Sequence, residues 1–392
     1  MSRLGVLVIL GCVLLTGTVA AAAPVSSDWP ALNHDATSSN YNTGETAITA
    51  QNVLKLKVKW TAPIADVSYP IVSAGKVYVP VVWHHVVHLH VLDAASGRRL
   101  TTISRNALGG ELVSGDALWT AGSALQALDP STGKVLGKVA ADPSVHDGTF
   151  VDPETDDSVL IAGYTSTAAS GKGQLYSVDP SAYQILWHRA SSTADGLLSS
   201  GRAVTSDSAG SVFYNETSGR KIGTSGIRGA TWFAAGKEAY SVSPETKQGA
   251  TLSGLASNGH QLWKRVIGPV LAASDWPHAS SDSAVYIQIF KPFQGVEALD
   301  ATSGRVLWHR SLQGITELAL ANNLLFVLTY DLGQPSRIVV YQASNGKPVG
   351  GLTLSDGYFG FHAANGLMVA DGMIFVRVAS GKGSLLVALG KG

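Results

Sequence analysis

His84, His85, His88 and His90 place four imidazoles within seven residues. On a strand, alternate residues share a face, so His88 and His90 point the same way and can both reach one metal ion. Asp152, Glu154, Asp156 and Asp157 crowd four carboxylates into six residues. They offer some of the oxygens calcium needs, although the same composition makes an acidic hairpin turn. A third set is scattered along the chain: Tyr69, Glu111, His146 with Asp147, Asp195, Arg228, Asp275 with His278, Glu317 and His362. Brought together, such acids, bases and a guanidinium bind a small polar ligand or move protons. Kept apart, they simply line a water-filled channel. No nucleophile elbow, dinucleotide-binding glycines, HExxH pair or EF-hand loop is present, so motifs assign no catalytic, cofactor-binding or metal residue. Ala169-Ser170-Gly171-Lys172-Gly173 returns as Ala379-Ser380-Gly381-Lys382-Gly383 without a phosphate-loop frame, as hairpin loops do.

The elements that must carry these residues show in the composition. Glycine makes up 43 of 392 residues, charged residues are 14% and apolar residues 45%. That mixture favours many short strands and tight turns over a large core. Length alone allows two domains or one large assembly. Lys plus Arg and Asp plus Glu both number 28. The balanced charge lacks the basic field of a nucleic-acid binder or a polybasic membrane anchor.

Residues 1–23 read as a secretory signal peptide: Arg3, an apolar run from Leu4 to Leu15, then small residues up to Ala23. The run is too short and too rich in small residues for a membrane span. An exported protein follows, secreted, periplasmic or in the cell envelope, with no transmembrane segment after signal removal. Cys12 is the only cysteine, and the apolar sequence continuing past it argues against lipid anchoring there. Cleavage near Ala23 leaves no cysteine for a disulfide, a thiolate metal site or a haem attachment.

Internal repeats set the architecture. Residues 298–308 carry the frame Ala298-x-Asp300-x-x-Ser303-Gly304-Arg305-x-x-Trp308. It returns at Ala127-x-Asp129-x-x-Thr132-Gly133-Lys134, with Gly137 in the Trp place, and at Asp93-x-x-Ser96-Gly97-Arg98. The copy from Asp179 to Trp187 has lost its glycine. Weaker copies lie at Asn215, at Ala256 ending in Trp263, and at Gln342. The mean spacing is about 42 residues, the length of a four-stranded propeller blade. Each copy predicts two strands joined by a turn, with Asp accepting backbone N–H bonds and Gly taking the positive φ. The last copy stops without its Trp strand, and Leu56-Lys57-Val58-Lys59-Trp60 supplies one at the other end. A β-propeller is predicted, eight blades or alternatively seven, closed when this N-terminal strand completes the last blade. The predicted organisation is a signal peptide at 1–23, a lead-in at 24–55 and one propeller domain at 56–392. Trp60, Trp187, Trp263 and Trp308 are expected to pack between blades; Trp83, Trp119 and Trp276 remain as candidate stacking surfaces. The place of His90 holds Gln126, Tyr176, Glu297 or Val339 in other copies, which favours hairpin histidines over a metal pair.

At these residues the sequence resembles the PQQ-like, quinoprotein-type β-propeller repeat family. Asp28-Trp29-Pro30, His34-Asp35, Asn40-Tyr41-Asn42 and the stretch Asn52 to Trp60 are similar to the lead-in of quinoprotein dehydrogenases and their non-enzymatic relatives. One branch of that family binds pyrroloquinoline quinone with calcium and oxidises alcohols or sugars. The other is an interaction scaffold, as in the β-barrel assembly machinery of the outer membrane. The resemblance to the enzymatic branch is incomplete here. The vicinal cysteine pair over the quinone is missing, and Tyr164-Thr165-Ser166 stands where a Gly-Asn-Pro should follow residues 151–163. The expected function is therefore an exported, non-catalytic scaffold without a cofactor, holding a protein or cell-envelope partner. The alternatives are a quinone- and calcium-dependent dehydrogenase with an axial site at His146, Asp147, Arg228, Asp275, His278, Glu317 and His362, and a carbohydrate or small-molecule binder.

Overall fold

Alternating apolar residues pair into strands throughout the chain, and the computed structural model arranges them as eight separate sheets. It describes residues 26–64, 69–83, 86–104, 110–143, 148–156, 158–166, 173–191, 197–198, 201–207, 210–227, 231–246, 249–268, 276–290, 294–330, 335–354, 366–380 and 383–392. Each sheet is built on four antiparallel strands, and the seventh has a short fifth strand paired in parallel. Blade 1 spans 71–104, blade 2 111–140, blade 3 148–191 and blade 4 197–225. Blade 5 spans 231–268, blade 6 278–311, blade 7 315–353, and blade 8 367–390 together with Lys57–Ile64. First strands of successive blades touch one another, so they line the axis. The result is an all-β, eight-bladed propeller.

Ring closure follows the sequence expectation. Lys57–Ile64 runs antiparallel to Gly383–Gly390, from Lys57 opposite Gly390 to Ile64 opposite Ser384. Blade 8 therefore takes its outer strand from the other end of the chain, and no blade edge is left to start or end a stack.

The repeat frame is a latch between blades. Trp308 donates its indole N–H to the Ala343 carbonyl in the next blade at 2.8 Å. Trp60 does the same to Ala94, Trp187 to Glu216 and Trp263 to Ala301. The receiving turn is shaped by its own Asp or Asn: the Asp300 carboxylate accepts from the Ser303 backbone and hydroxyl at 2.8 and 2.6 Å. Its glycine is required twice over. Gly346 sits at φ +68°, and a Cβ there would lie 2.6 Å from the Trp308 ring. A buried indole covers 150–250 Å², worth roughly 4–6 kcal/mol before entropy.

The two irregular copies explain each other. Blade 2 has Gly137 in the Trp place, and blade 3 has Tyr183 at its turn. The Tyr183 ring occupies the space above Gly137, so the bulky partner has moved from one side of the seam to the other. Two of the candidate stacking tryptophans are corrected by the structure. Trp119 is 1% exposed and packs in an interblade core, and Trp276 is 4% exposed, forming part of the wall of a small axial cavity rather than an open stacking surface. The side chain of Trp83 lies outside the described residues.

Candidate axial site

The lead-in does not stand apart from the ring; it runs round the inner strands where they turn into the second strand of each blade. Trp29 and Val72 of blade 1 exchange backbone N–H bonds at 2.8 Å. The Pro30 carbonyl accepts from Val113 of blade 2 at 2.8 Å. Ser38 donates to Glu154 of blade 3 at 3.0 Å, and Ala36 packs with Ala203 of blade 4. The carbonyls of Thr37, Ser39 and Asn40 then accept from Ala234, Ser280 and Leu320, in blades 5, 6 and 7, at 2.7, 2.8 and 2.8 Å. Tyr41–Asn42 pairs in parallel with Leu320 and Ala321. The buried Asn42 amide donates to Val369 of blade 8 at 2.8 Å and to the Ser27 carbonyl at 2.8 Å. This collar satisfies inner-strand backbone that would otherwise face the axis.

Short polar side chains make the collar's path. Asn33, His34, Ser38 and Asn40 all take positive φ, a conformation that small polar residues tolerate better than bulky ones. The Asp35 carboxylate ties the bend, accepting from the Thr37 and Ser39 backbones at 2.9 and 3.1 Å. Burial works against that charge. The bonds from His34, Ser39 and Thr37 outweigh it and hold the Asp35 carboxyl below its ordinary range.

Two small cavities lie between collar and inner strands. One is lined by Trp29, Asn33, Asn40, Tyr69, His278 and Glu317 among others, the second by Leu32, Tyr69, Glu111, Asp152, Pro153 and Glu154 among others. Each measures about 30 Å³, room for one or two ordered waters. Leu32 and Tyr69 line both.

Of the predicted axial residues, the structure brings His278 and Glu317 to one cavity, with Tyr69 beside them and Glu111 in the next. His278 is 5% exposed and stacks on Phe233 with ring centroids 4.1 Å apart. Its Nδ1 lies 2.7 Å from the Trp276 carbonyl and its Nε2 2.8 Å from the Ser38 carbonyl. A neutral ring donates to one of these oxygens and an imidazolium to both. Glu317 Oε2 accepts the Leu367 N–H at 2.8 Å, tying blade 7 to blade 8. Burial alone pushes the Glu111 carboxyl up to about 8. A carboxyl that stays protonated at neutral pH can donate a hydrogen bond into the cavity. His146, Asp147, Asp195, Arg228, Asp275 and His362 lie outside the described residues.

The acidic stretch divides in two. Asp156 makes the expected hairpin turn, accepting from the Ser158 and Val159 backbones at 3.0 and 3.1 Å. Asp152 and Glu154 instead face the second cavity, because a register shift interrupts the pairing between Val151 and Glu154. Asp152 sits at φ +44°. Asp157 lies outside the described residues. The lead-in's share of the cavity walls escaped the sequence reading; the run of Asn, His, Asp and Ser at 33–40 was its signal.

On the outer face of blade 1, His88 and His90 do share one side of their strand. His88 Nδ1 lies 3.1 Å from Ser104 Oγ. Burial, then Arg99 and His88, hold the His90 imidazole below its ordinary range. His84 and His85 lie outside the described residues. Among the described residues no three His, Cys, Asp or Glu side chains converge on a point where a metal could sit. Among the described residues, the two axial cavities are water-sized, and no cluster of three metal-ligating side chains stands beside them.

The fold and its latch define a repeat β-propeller, and comparison with known proteins specifies the repeat. The family model for the outer membrane protein assembly factor BamB matches residues 248–349 and 292–389. Over residues 248–389 the chain carries PQQ-like β-propeller repeats of that type. Among solved structures it is similar to quinohemoprotein alcohol dehydrogenase ADHIIG from Pseudomonas putida HK5, at 14% identity and TM-score 0.65 over 93% of this chain and 80% of that one. It is similar to a europium-containing methanol dehydrogenase at 12% identity and TM-score 0.64, over 94% and 98% of the two chains. BamB from Moraxella catarrhalis gives 15% identity and TM-score 0.47 over 70% and 94%. No curated protein matches by sequence. No helix among the described residues is long and apolar enough to cross a membrane.

Proposed function

We propose that this protein is an exported, non-catalytic propeller that holds a protein or cell-envelope partner on its faces. The collar carries the reading. Residues 27–42 already occupy the inner rim, and they leave axial space of about 30 Å³ in each cavity. A tricyclic quinone or a sugar needs a far larger chamber; small-molecule sites run to roughly 300–1,000 Å³. Likeness to the alcohol and methanol dehydrogenases supports the fold alone.

Titration of the mature protein with pyrroloquinoline quinone and calcium tests it, followed by quinone absorbance and by dye reduction with alcohols and sugars. Neither saturable binding nor turnover is expected. Saturable binding with turnover would replace the scaffold reading by a dehydrogenase.

Glu111 supports a second reading, a small polar ligand on the axis. A protonated carboxyl beside Tyr69, Asp152 and Glu154 donates and accepts in a space that holds water or a single small ion. A Glu111→Gln variant that changes the uptake of such a ligand, with the fold intact, would favour it over the scaffold.

A further inference from the structure

The outer strands of four blades carry the latch tryptophan, and the residue two places on faces the next blade. In three of them it is an arginine that crosses the seam. Arg189 donates to the Gly219 carbonyl at 3.0 Å and Arg310 to the Gly346 carbonyl at 2.7 Å. Arg265 grips Glu297 of blade 6 with two N–H bonds of 2.7 and 2.8 Å. In the fourth, blade 8, the residue is Ala62. Across that seam the position of Glu297 belongs to His90, three residues before the turn Asp93 as Glu297 is three before Asp300. The ring-closing seam therefore has a methyl group in place of the guanidinium and an imidazole in place of the carboxylate.

On the His90 side of blade 1 lies a groove of about 530 Å³, lined by Val81, His88, His90, Arg99, Leu100, Thr101, Thr102 and Ser104; its Val81 packs against the seam core that holds Trp60 and Ile64. Pairing across the strands fixes its polar side: His88 stands opposite Ser104 and His90 opposite Thr102. Val81 stands opposite His88 on the other neighbour. Three nitrogen-bearing side chains and three hydroxyl residues, of which Thr102 and Ser104 stand opposite the histidines, share the wall with the valine and with Leu100, which is 42% exposed. No carboxylate is among the described residues of the lining. The groove is within the volume range of small-molecule sites, whereas the axial cavities are not.

We propose that the seam between blades 8 and 1 is a binding site for a small organic phosphate. Its phosphate oxygens would accept from Arg99, His88, His90 and the Thr102 and Ser104 hydroxyls, and its apolar body would lie along Val81 and Leu100. Guanidinium and imidazolium donors suit a tetrahedral anion with several acceptor oxygens. An anion there also relieves the mutual repulsion of Arg99, His88 and His90.

Phenyl phosphate is the probe, followed through the His88 and His90 imidazole resonances of the whole mature protein. Saturable shifts are expected, with the His90 titration midpoint moving upward on binding. Inorganic phosphate should bind about tenfold more weakly because it lacks the apolar body. Arg99→Gln and His90→Gln should each weaken phenyl phosphate about tenfold or more. The pair Ala62→Arg with His90→Glu rebuilds the Arg265–Glu297 arrangement in this seam and should abolish binding while the fold stays closed. No saturable shift at millimolar phenyl phosphate would overturn the proposal. So would equal affinity for inorganic phosphate, or undiminished binding by the Ala62→Arg, His90→Glu protein.

Discussion

Replacing Glu111 by glutamine should stabilise the protein, and the gain should depend on pH. Glu111 has its carboxyl pushed from 4.5 to about 8 by burial. In the unfolded chain that carboxyl releases its proton above pH 4.5, while in the native ring it keeps it until about 8. The native state thus binds the extra proton in this window, and stability falls as pH rises through it. Below pH 4.5 both states are protonated and there is no penalty; above about 8 the penalty is complete. At pH 7 the gap of about 2.5 pH units above the unfolded value corresponds to about 3 kcal/mol, or about 2 once water in the cavity screens the group. The glutamine side chain keeps the shape and the hydrogen-bonding atoms but does not titrate. Urea unfolding followed by tryptophan fluorescence at pH 4.5, 6, 7 and 8 gives the two curves. The variant should match the parent near pH 4.5 and exceed it progressively towards pH 8. A difference that does not change with pH, or a variant less stable at pH 8, would refute the reasoning.

Four further outcomes follow from the latch and collar. Glu216 stands where Ala94, Ala301 and Ala343 stand in other blades, and its carboxyl is raised to about 7 by burial and Asp156 against the pull of Arg202. Glu216→Ala should therefore add about 1 kcal/mol at pH 8 and nothing near pH 4.5, because the carbonyl that receives Trp187 remains; thermal melts at both pH values check this. Trp308→Ala removes a buried indole and its bond to Ala343 and should cost about 3–5 kcal/mol in urea unfolding. Gly346→Ala forces a Cβ into that ring at positive φ and should cost about 1–3 kcal/mol, less when combined with Trp308→Ala, as a double-mutant cycle will show. Asn42→Ala strips the amide that joins the collar to Val369 and should cost about 2 kcal/mol, with faster hydrogen exchange in Leu367–Ala370.

Much of the ring was legible in the chain because its signals are local. Asp300, Ser303 and Gly304 form their turn from neighbours in sequence, and the strands on either side alternate in register with it. The spacing of such turns counted the blades, and the unmatched strand at 57–64 found its partner by subtraction. Where the frame broke, at Gly137 and Tyr183, sequence showed two losses; only the packed seam showed that one ring fills both places. The candidate site was less legible. Of the axial candidates, His278 and Glu317 line one cavity, a meeting that their separation in sequence does not announce. That Asp152 and Glu154 turn to the axis while Asp156 stays in its hairpin depends on one register shift, which no local pattern announces.

What the sequence determined by itself is the repeat: strand, Asp turn, glycine and tryptophan at fixed offsets, and hence a closed β-propeller. These depend on interactions within a dozen residues. The tertiary structure decided what lies inside and between the blades. The collar of residues 27–42 reaches all eight blades, and its contacts run up to hundreds of positions along the chain, as between Asn42 and Val369. Val81 in the groove wall packs against a core that holds Trp60 and Ile64, strand residues that join blade 8 only when the ring closes. Contacts of that range arise from closure, which turns the first strand into the last blade's edge.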